Sequence, residues 1–198
     1  MSPASQHYPG VLRIIGGQWR GRKLPVADSE GLRPTPNRIR ETLFNWLQPW
    51  IDGARCLDVT AGTGSLCLEA LSRGAAEAVM VEHSPAAVDT LRKNLATLKA
   101  EGGRIIPGNA LAYLAGPPQA FDIVFLDPPF KSDLIAQCAP ILSRGWLKPG
   151  ALVYIEAPSN MATLPIPKDW ELIRSKKSGQ VGYHLARYSP EVNTTTTA

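Results

Sequence analysis

The chain is poor in residues that build metal centres or disulfide frameworks. Its 198 residues include three cysteines and three histidines, all well separated, and no CxxC pair. An odd number of scattered cysteines in apolar segments predicts reduced, buried thiols. We therefore expect neither a disulfide nor a metal site. The cysteines are Cys56, Cys67 and Cys138.

Long apolar runs are also missing. No stretch has the length needed to cross a bilayer, and the residues before Val11 lack the basic and apolar regions of a signal peptide. We therefore expect a cytoplasmic protein with no membrane partner. Hydrophobic residues make up 44% of the chain, which predicts one domain with a substantial core, and nothing in the sequence demands more than a monomer.

Acidic residues are scarce between positions 13 and 40. This segment has seven basic and two acidic residues, a balance of +5, whereas the whole chain carries +4. A basic arm on a near-neutral globule predicts an anionic partner, most often a nucleic acid. The alternative is a solvated face that aids solubility. The predicted phosphate contacts are Arg13, Arg20, Arg22, Lys23, Arg33, Arg38 and Arg40.

The pattern of apolar and turn residues divides the chain into four parts. We predict a flexible tail over 1–10, a basic hairpin and helix over 11–53, an α/β domain over 54–188 and a disordered tail over 189–198. Within the second part, the predicted strands are 11–15 and 18–24. Thr35 and Pro36 predict the start of its helix, as N-cap and first helical residue.

Beyond residue 54, predicted strands and helices alternate. This alternation is typical of a parallel α/β sheet. Near the end, residues 170–176 and 181–188 alternate polar and apolar side chains on either side of a Ser-Gly-Gln turn. They predict an antiparallel hairpin that closes the sheet.

One buried strand stops abruptly at an acidic residue. The apolar run 123–126 is followed by Asp127, Pro128, Pro129 and Phe130. The prolines end strand pairing because they have no N–H to donate, and they stiffen the turn. A carboxylate and an aromatic ring are thereby predicted at the carboxyl end of a parallel strand, where open α/β sheets bind ligands. A proline-rich turn with a core Phe is the structural alternative.

A second stretch predicts a nucleoside cofactor. Asp58 ends a predicted strand, a Gly-rich turn through Gly62 and Gly64 follows, and Glu82 ends the next strand. Small residues admit a ligand to the backbone, and a strand-end carboxylate can accept ribose hydroxyls. Cys67 occupies the third glycine position of the dinucleotide fingerprint. Asp58 would repel a pyrophosphate but suits an amino group or a sulfonium, and S-adenosylmethionine carries both.

Asn109 begins the loop after the third strand of the α/β domain. In this architecture the loop lies near the adenine, so the side chain could bind the exocyclic amine. Asn is also a good helix N-cap. The sequence leaves both roles open.

These motifs together resemble the class I S-adenosylmethionine-dependent methyltransferases. More closely, they resemble the bacterial RsmD family, which methylates the exocyclic amine of a guanine in 16S ribosomal RNA. The match spans residues 13–187, and its family-specific part is the basic hairpin with the segment that follows. The segments that carry it are 13–17, 20–24, 32–35, 38–44, 58–64, 68–75, Glu82 and 127–130.

The resemblance implies a Rossmann-like, mostly parallel seven-stranded sheet with a closing antiparallel hairpin, plus an N-terminal β-hairpin and helix. It implies 16S ribosomal RNA, or the small subunit, as partner and S-adenosylmethionine as cofactor. The chain has Thr60, Asn37 and Asn109 where the family usually has Phe, Asp and Asp. The implied catalytic residues are Asp127, Pro128, Pro129 and Phe130. The implied cofactor-binding residues are Asp58, Ala61, Gly62, Thr63, Gly64, Glu82, His83, Asn109, Ala110 and Asp127.

Three other functions stay open at this point. The Asp-Pro-Pro-Phe turn is compatible with amines on adenine, cytosine or guanine, so a methyltransferase acting on DNA or another RNA is the first. A non-catalytic RNA-binding assembly factor with the same fold is the second. A dehydrogenase is the third, and Asp58 and Cys67 disfavour it.

Overall fold

The computed structural model describes residues 10–28, 32 and 34–190. The predicted tails therefore lie almost wholly outside the described residues, as does Arg33. The strands are β1 Val11–Arg13, β2 Lys23–Pro25, β3 Arg55–Asp58, β4 Glu77–Glu82, β5 Gly103–Pro107, β6 Phe121–Leu126, β7 Leu147–Pro158, β8 Trp170–Ser178 and β9 Val181–Tyr188. The helices are α1 Asn37–Leu47, α2 Ser65–Ser72, α3 Pro85–Leu98, α4 Ala110–Leu114 and α5 Leu134–Leu142.

Seven strands form the main sheet, in the order β5-β4-β3-β6-β7-β9-β8. The first five are parallel, and β9 runs antiparallel to both β7 and β8. The strand order reverses between β3 and β6, and ligands bind at such a switch point in open α/β sheets. The predicted mostly parallel seven-stranded sheet with its closing hairpin is confirmed.

Helices cover both faces of the sheet, as the apolar strands require. One core cluster joins α1 and α2 to the face that carries Phe125 and Tyr154. The other joins α4 and α5 to the face that carries Val124 and Val153. All three cysteines are free thiols in the structure, and their predicted burial is confirmed. Within the described ranges, no helix is long and apolar enough to cross a membrane.

The N-terminal hairpin is shorter than predicted. Leu12 and Leu24 face each other in the β1–β2 pair and are buried against α2 and α3. Most of the predicted second strand, 18–24, forms turns instead. The reason is a tertiary contact: a buried carboxylate on α2, Glu69, accepts hydrogen bonds from the backbone N–H groups of Ile15 and Gly16 and draws the chain out of the hairpin.

Helix α1 begins one residue later than predicted. Pro36 occupies the N-cap position and Asn37 is the first helical residue. Thr35 therefore does not cap the helix. Its buried hydroxyl donates instead to Asp127 Oδ2 at 3.4 Å and accepts from Ser65 Oγ at 3.3 Å.

Candidate active site

The predicted site residues converge on the carboxyl edge of β3, β4 and β6. Asp58 is the last residue of β3, Glu82 is the last residue of β4, and Asp127 follows β6 directly. Because β3 pairs with both β4 and β6, the three carboxylates are brought to neighbouring positions. This convergence is predictable from the sequence, since the carboxyl ends of parallel strands lie at one edge of the sheet.

Asp58 holds the start of the Gly-rich turn through a backbone hydrogen bond. Its side chain is 2% exposed, and its Oδ1 accepts a hydrogen bond from Thr60 N at 3.0 Å. Burial raises the pKa of Asp58 to about 8, against the effect of the Thr60 N–H and with the negative charges of Asp127 and Glu82 adding to the rise. A buried carboxyl group with this environment favours a cationic neighbour.

The turn itself depends on glycine conformation. Gly62 and Gly64 adopt φ values of 55° and 74°, the left-handed region that favours glycine. A Cβ on Gly64 would lie 2.4 Å from the Leu91 side chain, so a larger residue here would also force Leu91 to move. Gly64 is the N-cap of α2. Ala61, which precedes Gly62, and Thr63, which lies between the two glycines, are both buried.

Glu82 ties the turn to the next loop. Its Oε2 accepts from Gly62 N at 2.7 Å and its Oε1 accepts from Ser84 N at 2.8 Å. Glu82, the predicted ribose-binding carboxylate, therefore also holds the Gly-rich turn in position through these backbone hydrogen bonds. Its neighbour His83 is 81% exposed, with Nδ1 3.3 Å from Glu82 Oε1.

Asn109 is the N-cap of α4. Its Oδ1 accepts from Ala112 N at 2.8 Å, which confirms one of the two roles left open by the sequence. Ala110, the first residue of the helix, is buried. The adenine contact stays a prediction.

The Asp-Pro-Pro-Phe turn presents its aromatic ring to solvent. Pro128 is buried and Pro129 is exposed, while Phe130 is 41% exposed rather than a core residue. The carbonyl oxygen of Pro129 accepts from Ser132 N and Ser132 Oγ, at 2.9 and 2.7 Å, which holds the turn. Burial raises the pKa of Asp127 to about 6, and a hydrogen bond from Thr35 opposes the rise.

Glu156, which lies beside Asp127, was not among the predicted site residues. Glu156 belongs to the end of β7, is 5% exposed, and its Oε1 accepts from Tyr154 Oη at 2.6 Å. A signal was present, because a charged residue that ends an apolar strand needs a partner. Only the strand order showed that β7 lies next to β6.

The basic arm is placed only in part as predicted. Arg40 is 1% exposed, donates to Arg13 O and Asn37 Oδ1 at 2.7 and 2.6 Å, and lies 3.6 Å from Glu69. The prediction that Arg40 contacts phosphate is therefore wrong, because its guanidinium is used inside the protein. The remaining described residues of the predicted set are exposed: Arg13, Arg20, Arg22, Lys23 and Arg38.

Glu69 was also missed, and it connects the arm to the α/β domain. Its side chain is 0% exposed. It accepts from Ile15 N, Gly16 N and Arg73 Nε at 2.7 to 2.9 Å. A lone acidic residue inside the apolar run 66–71 was the available signal, because a buried charge persists only where it is paired.

Similarity to solved structures defines the class of protein. The chain matches a structure described as putative methyltransferase yhhF from Escherichia coli at a TM-score of 0.85 and 49% identity, covering 91% of this chain and 99% of that chain. It matches an RNA methyltransferase from Salinibacter ruber in complex with S-adenosyl-L-homocysteine at a TM-score of 0.63 and 18% identity, covering 82% and 97%, a likeness of fold alone. With its strand-end carboxylates and Gly-rich turn, the protein is a class I methyltransferase.

Its family follows from the sequence relatives. Residues 12–187 match the family described as Conserved hypothetical protein 95. Ribosomal RNA small subunit methyltransferase D from Escherichia coli K12 is 52% identical over 177 residues, 89% of each chain. The Haemophilus influenzae protein of the same name is 47% identical over 181 residues, 89% of this chain and 93% of the relative. The chain belongs to this family, the RsmD family that the sequence motifs resemble.

Proposed function

We propose that the protein transfers a methyl group from S-adenosylmethionine to the exocyclic N2 amine of a guanine in 16S ribosomal RNA, within an assembled or assembling small subunit. The observation that carries the proposal is the Asp127 carboxylate, held beside Asp58 in a rigid turn with the Phe130 ring exposed next to it. The names of the relatives support the substrate. A ribosomal substrate places the reaction in the cytoplasm.

The residues at the strand ends fit the proposed cofactor. Asp58 and Asp127 are acidic groups whose pKa is raised by burial, and the negative charge of Asp127 adds to the rise at Asp58. A ligand with an ammonium and a sulfonium would relieve that repulsion. The backbone of Gly62 and Gly64 would admit it closely, and Glu82 would accept its ribose hydroxyls. When bound, S-adenosylmethionine supplies a methyl group on a positively charged sulfur.

The chain's own residues would activate the target amine. An exocyclic amine is a weak nucleophile because its lone pair is delocalised into the ring. Asp127 and a main-chain carbonyl of the turn, which we assign to Pro128, would accept its two N–H bonds. These acceptors favour a pyramidal nitrogen and stabilise the positive charge that develops on it. The base must leave its stack to reach the turn, which favours a loop or a splayed nucleotide.

Replacing Phe130 tests the base-binding role. Stacking of a base on an aromatic ring contributes about 1–3 kcal/mol, so we expect Phe130→Ala to lower kcat/KM for RNA by roughly 10- to 100-fold. Phe130→Tyr keeps the ring and should stay within a few-fold of the wild type. Binding of S-adenosylhomocysteine to both variants, measured by calorimetry, is the control. Equal kcat/KM for the alanine and tyrosine variants would remove Phe130 from the target pocket.

Neutralising part of the arm tests its contact with phosphates. We expect Arg20→Gln with Lys23→Gln to weaken RNA binding and to reduce the slope of log affinity against log salt by about 1–2, because each lost phosphate contact accounts for roughly 0.7–0.9. The matched control is Arg144→Gln with Lys168→Gln, which removes two exposed charges that precede β7 and β8. An unchanged salt slope in the arm variant contradicts the role of the arm.

The decisive experiment for the function is transfer of labelled methyl from S-adenosylmethionine. The acceptors are small ribosomal subunits that lack native methylation, free ribosomal RNA and duplex DNA, and the labelled nucleoside is then identified. We expect label on the N2 amine of guanine in subunits. Label on DNA or on another base would overturn the substrate assignment. Cofactor binding without transfer to any acceptor would indicate an RNA-binding assembly factor.

A further inference from the structure

Asp127 has a second carboxyl group as its direct neighbour. The parallel β6–β7 register pairs Leu126 with Ile155, so the next residue on each strand, Asp127 and Glu156, lie side by side on the same face of the sheet. Burial raises the pKa of both groups, and an interaction between the two side chains lowers the pKa of Asp127 and raises that of Glu156. A direct hydrogen bond between them requires one proton, because two ionised carboxylates can only accept.

The surroundings of the pair decide which group holds that proton. Tyr154 Oη donates to Glu156 Oε1 at 2.6 Å from a fully buried position, and Thr35 Oγ1 donates to Asp127 Oδ2 at 3.4 Å. Tyr183 lies opposite Glu156 in the β7–β9 register. The titratable groups that act on Glu156 are thus Asp127 just after β6, Asp58 on β3 and Tyr154 on its own strand. Tyr183 acts on Tyr154 from β9.

Two neighbouring carboxyl groups, Glu156 buried and Asp127 half-buried, do not ionise together at low cost. Burial, and then the negative charge of Asp127, raise the pKa of Glu156 to about 8. The pKa of Asp127 is raised less, to about 6. At neutral pH the pair therefore holds one proton. Because Glu156 is buried more completely than Asp127, we expect the proton to reside mainly on Glu156 and the charge on Asp127.

We infer that Glu156 is a positioning residue for methyl transfer, whose carboxyl group donates a hydrogen bond to the Asp127 carboxylate and fixes its orientation toward the target amine. The inference deepens the proposed function and rests on it for its kinetic consequences. Thr35, which precedes α1, and Glu156, which lies on β7, reach Asp127 from different parts of the fold. Together they restrict rotation of a carboxylate whose role requires a defined direction.

A bell-shaped pH dependence of kcat/KM follows. As pH falls through about 6, Asp127 becomes protonated and loses its ability to accept from the amine. As pH rises through about 8, Glu156 ionises, its donated hydrogen bond is lost and Asp127 faces a second negative charge. Activity should therefore be greatest between these two values.

Glu156→Gln separates positioning from mere packing. The amide can still donate to Asp127 but cannot ionise, so we expect kcat/KM near pH 7 within a few-fold of the wild type and no decline on the alkaline side. Glu156→Ala removes the donor, and we expect a 10- to 100-fold fall in kcat with S-adenosylhomocysteine affinity within a few-fold. An alkaline decline that persists unchanged in Glu156→Gln, or full kcat in Glu156→Ala, would overturn the inference.

A second measurement does not depend on substrate. Carboxyl NMR of the free protein with ¹³C-labelled Glu should show Glu156 titrating near pH 8, and at lower pH in Asp127→Asn, where the neighbouring charge is gone. Titration of Glu156 below about pH 5 in the wild type would overturn the inference. Coupled titration without transfer to any RNA would instead overturn the proposed function and leave the carboxyl pair established.

Discussion

Asp127→Ala is expected to lower kcat for methyl transfer by about 10³-fold or more, with S-adenosylhomocysteine affinity changed only a few-fold. Loss of one transition-state hydrogen-bond partner alone costs about 10²–10³ in rate. Here the same change also removes the nearest compensating charge for the developing cation. Single-turnover methyl transfer at saturating cofactor gives the rate, and calorimetry gives the affinity.

Asp133→Ala is the matched control for this variant. Asp133 is an exposed aspartate in the same loop, at the N-cap of α5, and makes no capping hydrogen bond through its side chain. Both variants remove one carboxylate, so a difference between them reports position rather than charge. A rate for Asp127→Ala within ten-fold of the wild type would remove Asp127 from the chemistry.

Glu69→Gln is expected to destabilise the fold by about 3–5 kcal/mol, the usual cost of breaking a buried ion pair from one side. The change leaves Arg40 buried without its anionic neighbour and sets an amide nitrogen against the N–H groups of Ile15 and Gly16. For a chain of this size the expected fall in Tm is roughly 6–20 °C. Thermal unfolding followed by circular dichroism measures it.

Glu41→Gln serves as the control for Glu69→Gln, since Glu41 is exposed on α1 and the same charge change there should leave Tm nearly unaltered.

A double variant that adds Arg40→Met to Glu69→Gln should lose less stability than the two single losses combined, because the unpaired charge is gone. Additive losses, or an unchanged Tm in Glu69→Gln, would contradict the central role of this carboxylate. Deleting the N-terminal hairpin would also destabilise the fold, because Leu12 and Leu24 are core residues.

Several features of the fold and site follow from local sequence. The apolar run before Asp127 and the prolines after it fix a buried strand with a carboxylate at its end, since only a two-sided strand accepts such a run. The left-handed glycines at 62 and 64 likewise mark the turn that follows Asp58. Parallel pairing then requires these carboxylates to meet at one edge, so the location of the site was predictable.

Other features depend on contacts between residues far apart in the chain. Arg40 belongs to the same basic segment as Arg38, which is exposed. Helical spacing places Arg40 on the face of Leu43 and Phe44, but it does not identify the buried charge that Arg40 meets there. Arg40 is buried because α1 turns its side chain toward Glu69, 29 positions along the chain. The second hairpin strand was likewise overpredicted, because the backbone N–H groups near Gly16 bond to the same carboxylate rather than to a strand.

The sequence by itself determined the sheet, its helical layers, the Gly-rich turn and the Asp127 turn, because periodicity and turn chemistry act over a few neighbouring residues. Tertiary structure alone decided that Glu156 is the neighbour of Asp127, that Thr35 binds Asp127 rather than capping α1, and that Arg40 is internal. These outcomes depend on strand order and on which buried charges meet. Both depend on how the whole chain packs its strands and pairs its buried charges, and a local sequence pattern does not determine either of them.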